Sequence, residues 1–178
     1  MKAGALLSPV DNRDMTPLHW AAWWGKTEVI KVIVEAGASL SAVENKGWTP
    51  LHRAAWWGKT DVVKVLVEAG ASLSAVDDED MTPLHLSADE GNTDVAKALV
   101  EAGASLSAVE NKGMTPLHMS AWRGYTDVTK VLVGAGASLS AVVRQIKTPL
   151  HLSAMWDVKH RRGQGSSGSR GFTVCCGR

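Results

Sequence analysis

A tetrapeptide repeated at a fixed interval constrains the fold of this chain more than any other feature of its sequence. Thr-Pro-Leu-His occurs five times at intervals of 33 residues, beginning at Thr16, Thr49, Thr82, Thr115 and Thr148. The segment 37–47 also recurs letter for letter at 103–113. Repetition at a period of about 20–50 residues is typical of arrays of similar small units. The sequence therefore predicts a row of stacked repeats.

Each unit is predicted to form two short helices followed by a projecting loop, which we call the finger. In the first unit, Thr16 is placed to cap a helix that begins at Pro17 and ends at Gly25. Thr27 can cap a second helix, whose apolar stripe consists of Val29, Ile30, Ile33 and Val34. The residues that follow, 38–48, are expected to be extended with a turn near their end. One such unit exposes apolar faces on both sides, so neighbouring units must stack.

These features resemble the ankyrin repeat over about residues 4–156: the period, Thr-Pro-Leu-His, the small residues that follow it, the next Gly and the Val-rich second helix. The resemblance implies an all-α-dominated solenoid of stacked helix-turn-helix repeats, with β-hairpin or loop fingers and a concave groove that binds proteins. The similarity among the copies also resembles that of designed or consensus-derived ankyrin repeat proteins.

The period divides the chain into an array, residues 1–156, and a tail, residues 157–178. The array is expected to contain the finger of a truncated repeat (4–15), four complete repeats (16–48, 49–81, 82–114 and 115–147) and a partial repeat (148–156). The tail is basic and Gly/Ser-rich, so we expect it to be flexible. Neither end of the array has a polar cap. We therefore expect exposed core surface there, with fraying or end-to-end association.

One position in each finger indicates a left-handed backbone. It is occupied by Gly47 and Gly113 in two copies and by Asp14 and Asp80 in two others. Asp tolerates a positive φ better than most residues, so we expect the same turn in all four fingers. Ile146 fits that place poorly because it is β-branched, and the last finger is expected to be remodelled.

Positions that vary between copies are predicted to contact a partner. They lie three and four residues apart on the first helix, hence on one face, and just before each Thr-Pro. The candidate contact residues are Trp20, Trp23, Trp24, Trp48, Arg53, Trp56, Trp57, Met81, Asp89, Glu90, Met114, Met119, Trp122 and Arg123. A core position does not accept unpaired carboxylates, so Asp89 and Glu90, which replace Trp56 and Trp57, indicate a surface. Two alternatives stay open: single Trp residues pack partly against a neighbouring unit, and the acidic run 77–80 is only a solvated turn.

The histidines, one per unit, do not predict a metal site. Equivalent side chains on stacked helices lie about 8–10 Å apart, whereas each ligand of a zinc ion lies about 2.0–2.1 Å from it. The resemblance implies that His19, His52, His85, His118 and His151 form hydrogen bonds between neighbouring loops. No Ser/His/Asp grouping stands outside the repeat pattern, and no Gly-rich phosphate loop precedes a helix. We therefore predict no catalytic residue, no metal, no cofactor and no enzymatic activity.

Charge and hydropathy narrow the class of partner. The 19 Lys and Arg residues nearly balance 18 Asp and Glu residues, which argues against nucleic acid as the partner. No apolar run approaches the ~20 residues of a membrane helix and no signal peptide is recognisable, so we expect no membrane partner and a cytoplasmic, intracellular location, with the nucleus not excluded.

The sequence is best interpreted as a protein–protein interaction module. It would bind another protein through a Trp/Met-rich concave face with a central acidic patch. One alternative is a structural or assembly segment that self-associates end to end through uncapped terminal repeats. A third interpretation is an ankyrin segment separated from a catalytic domain.

Overall fold

Four helix-turn-helix pairs make up the part of the chain that the computed structural model describes, residues 9–140. The first helices of the pairs are α1 (Pro17–Trp24), α3 (Pro50–Trp56), α5 (Pro83–Glu90) and α7 (Pro116–Arg123). The second helices are α2 (Thr27–Glu35), α4 (Thr60–Glu68), α6 (Thr93–Glu101) and α8 (Thr126–Gly134). Each first helix packs against the next first helix, and each second helix packs against the next second helix. The predicted α-helical solenoid is thereby confirmed.

The Thr-Pro-Leu-His motif starts every first helix in the described part. Thr16 has an extended backbone, and its Oγ1 accepts the backbone N–H of His19. The Nδ1 of His19 accepts the backbone N–H of Thr16 in return, at 3.1 Å. Pro17 occupies the first turn, where its missing N–H leaves no bond unmade. The same reciprocal cap is present in α3, α5 and α7, so the predicted start of the first helix is confirmed.

The start of the second helix differs from the prediction by one residue. Thr27 is the first helical residue, and the N-cap is Lys26, whose side chain makes no capping hydrogen bond. The turn between α1 and α2 consists of Gly25, with φ of 70°, and Lys26 alone. The equivalent Thr60 is likewise the first residue of α4, so the prediction that Thr27 caps α2 is wrong.

The core consists of one set of residues repeated along the array. The Leu residue of the motif is fully buried in each first helix (Leu18, Leu51, Leu84 and Leu117). Small residues follow it: Ala22, Ala54 and Ala88 are buried where first helices meet. Their lack of bulk lets neighbouring helices approach closely. The second helices contribute a buried aliphatic stripe, of which Val63 and Leu66 are examples.

The fingers are turns rather than β-hairpins, since no strand is formed within residues 9–140. In the finger that precedes α5, the Asp77 N–H donates to the Met81 carbonyl at 3.1 Å, and the Asp80 N–H donates to the Asp77 carbonyl at 3.0 Å. Adjacent fingers are joined by the Asp78 N–H, which donates to the Lys46 carbonyl at 3.2 Å. These bonds are too few to build a ladder, so the loop form of the expected finger is the correct one.

The left-handed position of the finger is occupied as expected. Asp14 and Asp80 both have φ of 61°, close to the φ of 71° at Gly47 and 81° at Gly113. Asp therefore supports the same turn as Gly in this array. Several predictions concern residues outside the described part: the remodelled turn at Ile146, the partial repeat 148–156, the tail 157–178 and the opening residues 1–8.

Candidate functional site

Buried histidines connect each first helix to the residue just before the next Thr-Pro. Their Nε2 atoms lie 2.9–3.1 Å from a backbone carbonyl oxygen in the pairs His19–Trp48, His52–Met81 and His85–Met114. A carbonyl only accepts, so Nε2 carries the proton and Nδ1 accepts from the motif threonine. Burial lowers the pKa of all three rings, and the pKa of His85 falls to about 4. The expected hydrogen bonds between neighbouring loops are confirmed for these three residues.

A carboxylate stands at the beginning of each finger turn, and in three of the four described fingers it organises the turn. One oxygen accepts two backbone N–H groups of the same finger, from the residues two and four positions later, in the cases of Asp11, Asp77 and Glu110. Asp77 and Glu110 are buried. The acidic run 77–80 is therefore not a solvated turn throughout, because Asp77 is structural whereas residues 78–80 are exposed. None of our predictions assigned a role to this column, although acids at 33-residue spacing were a visible signal.

Glu44 departs from this pattern, although its finger has the same sequence as that of Glu110. Its Oε2 accepts a hydrogen bond from the Arg53 guanidinium at 2.8 Å, and both side chains are largely buried. The guanidinium lies over two indole rings, 5.3 Å from the centroid of Trp23 and 4.8 Å from that of Trp48. Two buried atoms of this pair, Glu44 Oε1 and Arg53 Nε, have no hydrogen-bond partner. Arg53, predicted to contact a partner, packs against two indoles of the chain itself.

Six tryptophans meet around Arg53, and we call them the Trp cluster: Trp20, Trp23, Trp24, Trp48, Trp56 and Trp57. The ring of Trp23 is stacked on three others, with centroid distances of 5.1 Å to Trp20, 5.9 Å to Trp24 and 5.7 Å to Trp57. Trp48 and Trp56 form a tilted pair at 5.3 Å. Trp24 is 62% exposed and Trp57 is 45% exposed, whereas Trp20, Trp23 and Trp56 are half-buried. The alternative of partial packing thus describes part of the cluster only.

Three predicted contact residues are buried, so the expectation that they lie on an exposed face is wrong. Trp48 turns inward, and its Nε1 donates to the Asp77 carboxylate at 2.8 Å. Met81 occupies the same finger position and is buried in the core, as is Met119 on α7. Met114 is half-buried and packs against the core. These side chains support the surface without presenting much area to a partner.

The last two described first helices contribute an ion pair that joins one helix end to the next. The Arg123 guanidinium donates from Nε and Nη2 to the two oxygens of Asp89, each at 2.7 Å. Asp89 is half-buried and its charge is neutralised by this bidentate pair. Glu90 is exposed and forms no ion pair with any residue of 9–140. Burial, then the neighbouring Asp89, raises the pKa of Glu90.

Among the predicted contact residues, those whose side chains are exposed to solvent lie at the ends of the first helices. We call them the first-helix surface: Trp24, Trp57, Glu90, Trp122 and Arg123. Within residues 9–140, no group of three or more His, Cys, Asp or Glu side chains is placed to hold a metal ion. No helix in the same part of the chain is long and apolar enough to cross a membrane.

Comparison with known families agrees with this architecture. A family model described as ankyrin repeats (3 copies) matches residues 3–77 and 72–143. The comparison with curated proteins gives no match.

Proposed function

The chain belongs to the ankyrin repeat family, and we propose that it is a recognition module that binds another protein through its first-helix surface. Ankyrin repeats are generally protein–protein interaction modules, and the family is typically non-enzymatic. The observation that carries the proposal is the exposure of Trp24 and Trp57 on top of a stacked cluster. Exposed indoles that form one patch with their neighbours are unusual on a monomer and are typical of binding surfaces.

The size of the expected contribution follows from the exposure of Trp57. A Trp side chain removes about 150–250 Å² from water when it is fully buried. With 45% of its surface still exposed, Trp57 offers a partner roughly 100 Å², equivalent to roughly 2–3 kcal/mol at 25 cal/mol per Å² if a partner covers all of it. Stacking on Trp23 fixes the ring before binding, which lowers the entropy lost on association.

The test uses peptides selected from a displayed random library on the full chain. Their affinity is then measured for the wild type, for Trp57→Ala and for Val43→Ala. Val43 is an exposed residue of a finger and serves as the matched control. We expect Trp57→Ala to weaken binding by more than about fivefold, or 1 kcal/mol, while the variant still unfolds in one cooperative urea transition.

Two results would overturn the proposal. Equal affinity of the selected peptides for the wild type and Trp57→Ala would remove the indole from the binding surface. Loss of the cooperative urea transition in Trp57→Ala would place Trp57 in the core.

We propose self-association as a second candidate function, because one observation favours it. Val29 on α2 is 49% exposed, whereas the equivalent Val62, Val95 and Val128 are 1%, 1% and 0% exposed. The later residues are covered by a preceding repeat, so α2 presents the surface that a repeat normally fits. A second copy stacked against this face would cover it.

Sedimentation equilibrium over a range of protein concentrations tests this candidate. We expect the mass of the wild type to rise with concentration and that of Val29→Glu to stay at the monomer value. Val43→Glu adds the same charge at an exposed finger position and should behave as the wild type. A monomer at every concentration would refute end-to-end association.

A further inference from the structure

We infer that the partner is an extended peptide segment with a Lys or Arg side chain that pairs with Glu90. Large apolar residues, spaced to meet Trp57 and Trp24, would occupy one side of this basic residue. The inference rests on the proposed protein-recognition function and names the chemistry of the partner. It is carried by a charge pattern along the array and by the spacing of the first helices.

Glu90 lies within a row of equivalent positions. Trp24, Trp57, Glu90 and Arg123 follow one another at intervals of 33 residues, each at the end of a first helix. Because α3 packs against α5 and α5 packs against α7, Glu90 lies between Trp57 and Arg123. Helices in contact are about 8–10 Å apart, so one turn of an extended chain separates neighbouring members of the row.

The charge of Glu90 is available, whereas the charges on either side of it are not. Arg123 is committed to Asp89 through two hydrogen bonds of 2.7 Å. Asp89 is thereby neutralised, whereas Glu90 forms no ion pair with any residue of 9–140. A basic side chain placed at Glu90 would gain a charge-assisted hydrogen bond.

The charge of the fingers is also reversed in the finger that precedes α5. Arg13, Lys46 and Lys112 occupy one column of the fingers, and Glu79 takes that place in the finger before α5. The adjacent Asp78 and Asp80 are exposed, and none of residues 78–80 forms an ion pair within the described part of the chain. The array therefore attracts a cation at α5 and repels one at the flanking fingers. Complementary charge of this kind fixes the register in which a partner binds.

The helix spacing then predicts the spacing of residues in the peptide. A polyproline II segment has three residues per turn and rises about 3.1 Å per residue, so residues i, i+3 and i+6 face one side at intervals of about 9 Å. This interval matches the separation of packed helices. A basic residue at Glu90 thus corresponds to an apolar residue three positions away, over Trp57, and to another six positions away, over Trp24.

The test repeats the library selection on the wild type, on Glu90→Arg and on Asp94→Arg. Asp94 is an exposed acid in the first turn of α6, so its replacement makes the same charge change away from the first-helix surface. We expect wild-type binders to be enriched in Lys or Arg three residues from a large apolar residue. Glu90→Arg should select Asp or Glu at that position, and Asp94→Arg should select the wild-type pattern. Replacing the basic residue by Ala in one synthetic peptide should weaken binding about two- to fivefold.

The outcomes separate this inference from the proposed function. Binders that depend on Trp57 but lack a basic residue, or that keep it on Glu90→Arg, refute the inference and leave recognition by the Trp cluster intact. A spacing of seven residues would mean a helical peptide and refute the extended segment. Binders that ignore Trp57, or no enrichment of any peptide, refute both.

Discussion

Replacing Arg53 by methionine is expected to change the free energy of unfolding by no more than about 1 kcal/mol, although it removes one partner of a buried ion pair. Breaking a buried pair in this way typically costs about 3–5 kcal/mol, because the remaining charge is left uncompensated. Another repeat of the chain already combines a finger glutamate with a methionine at the position of Arg53. Glu110 and Met119 occupy the places of Glu44 and Arg53 one repeat beyond α5, and Glu110 is buried there with two backbone N–H donors.

The small expected effect is the difference between two contributions of similar size. The stacking of the guanidinium on Trp23 and Trp48 is lost, at about 0.5–1 kcal/mol for each ring. In return, the unpaired Nε of Arg53 disappears, and Glu44 is free to accept the N–H groups of its own finger as Glu110 does. An unmade buried hydrogen bond costs about 1–3 kcal/mol, so its removal offsets the lost stacking.

Urea unfolding followed by far-ultraviolet circular dichroism measures the effect without relying on tryptophan emission. Glu44→Ala and Glu110→Ala are the controls, since each removes the acceptor itself and should cost about 2 kcal/mol or more. A loss of about 3 kcal/mol or more in Arg53→Met would show that Glu44 cannot adopt the bonds seen at Glu110. That result would refute the equivalence of the two fingers.

Three further predictions concern the buried histidines and the turns. The pKa of His85 is about 4 in the folded chain and about 6.5 in an unfolded one. The unfolded chain therefore takes up protons first, so stability is complete above pH 6.5 and falls toward pH 4, by roughly 3 kcal/mol from His85 alone. Urea midpoints that stay constant over that range would contradict it. Gly91→Ala should lower the free energy of unfolding by about 2 kcal/mol or more, because φ is +75° and the new Cβ would lie 2.8 Å from the Tyr125 ring. Gly37→Ala should lose less, because a Cβ there has no atom within 4 Å and only the backbone strain of a φ of +91° remains. Thermal unfolding in the opposite order would be evidence against this. Asp80→Gly should raise stability by about 0.5 kcal/mol, since φ is 61° there; a lower melting temperature would argue that Asp80 makes an unrecognised contact.

The first helices were predictable because their determinants are local. Thr16, Pro17 and His19 lie within four residues and together specify the cap, the first turn and the reciprocal hydrogen bond. The left-handed finger position was predictable for the same reason, since the tolerance of Asp80 for positive φ depends on its own side chain. In both cases the sequence pattern and the physical cause span one turn of chain.

The arrangement of the surface was less predictable because it depends on contacts between distant residues. Variation between copies identified Trp48 and Trp57 alike as contact residues. Trp48 is nevertheless buried, and its Nε1 donates to Asp77, 29 residues away. The pairing of Asp89 with Arg123 spans 34 residues. Periodicity shows which positions are equivalent, but the direction of each side chain is set by the neighbouring repeat.

The identical histidine bonds make whole periods of the chain interchangeable. Excision of residues 82–114 would join Met81 directly to Thr115, and the bond from His52 to the Met81 carbonyl would be preserved. The shortened protein would bring Trp122 beside Trp56 and Arg123 beside Trp57, and it would delete Asp89 and Glu90, so the excision would turn a mixed aromatic and acidic surface into an aromatic and basic one. Deletion or duplication of one 33-residue repeat in the gene can therefore change which partner the protein binds, while the hydrogen bonds between repeats are preserved.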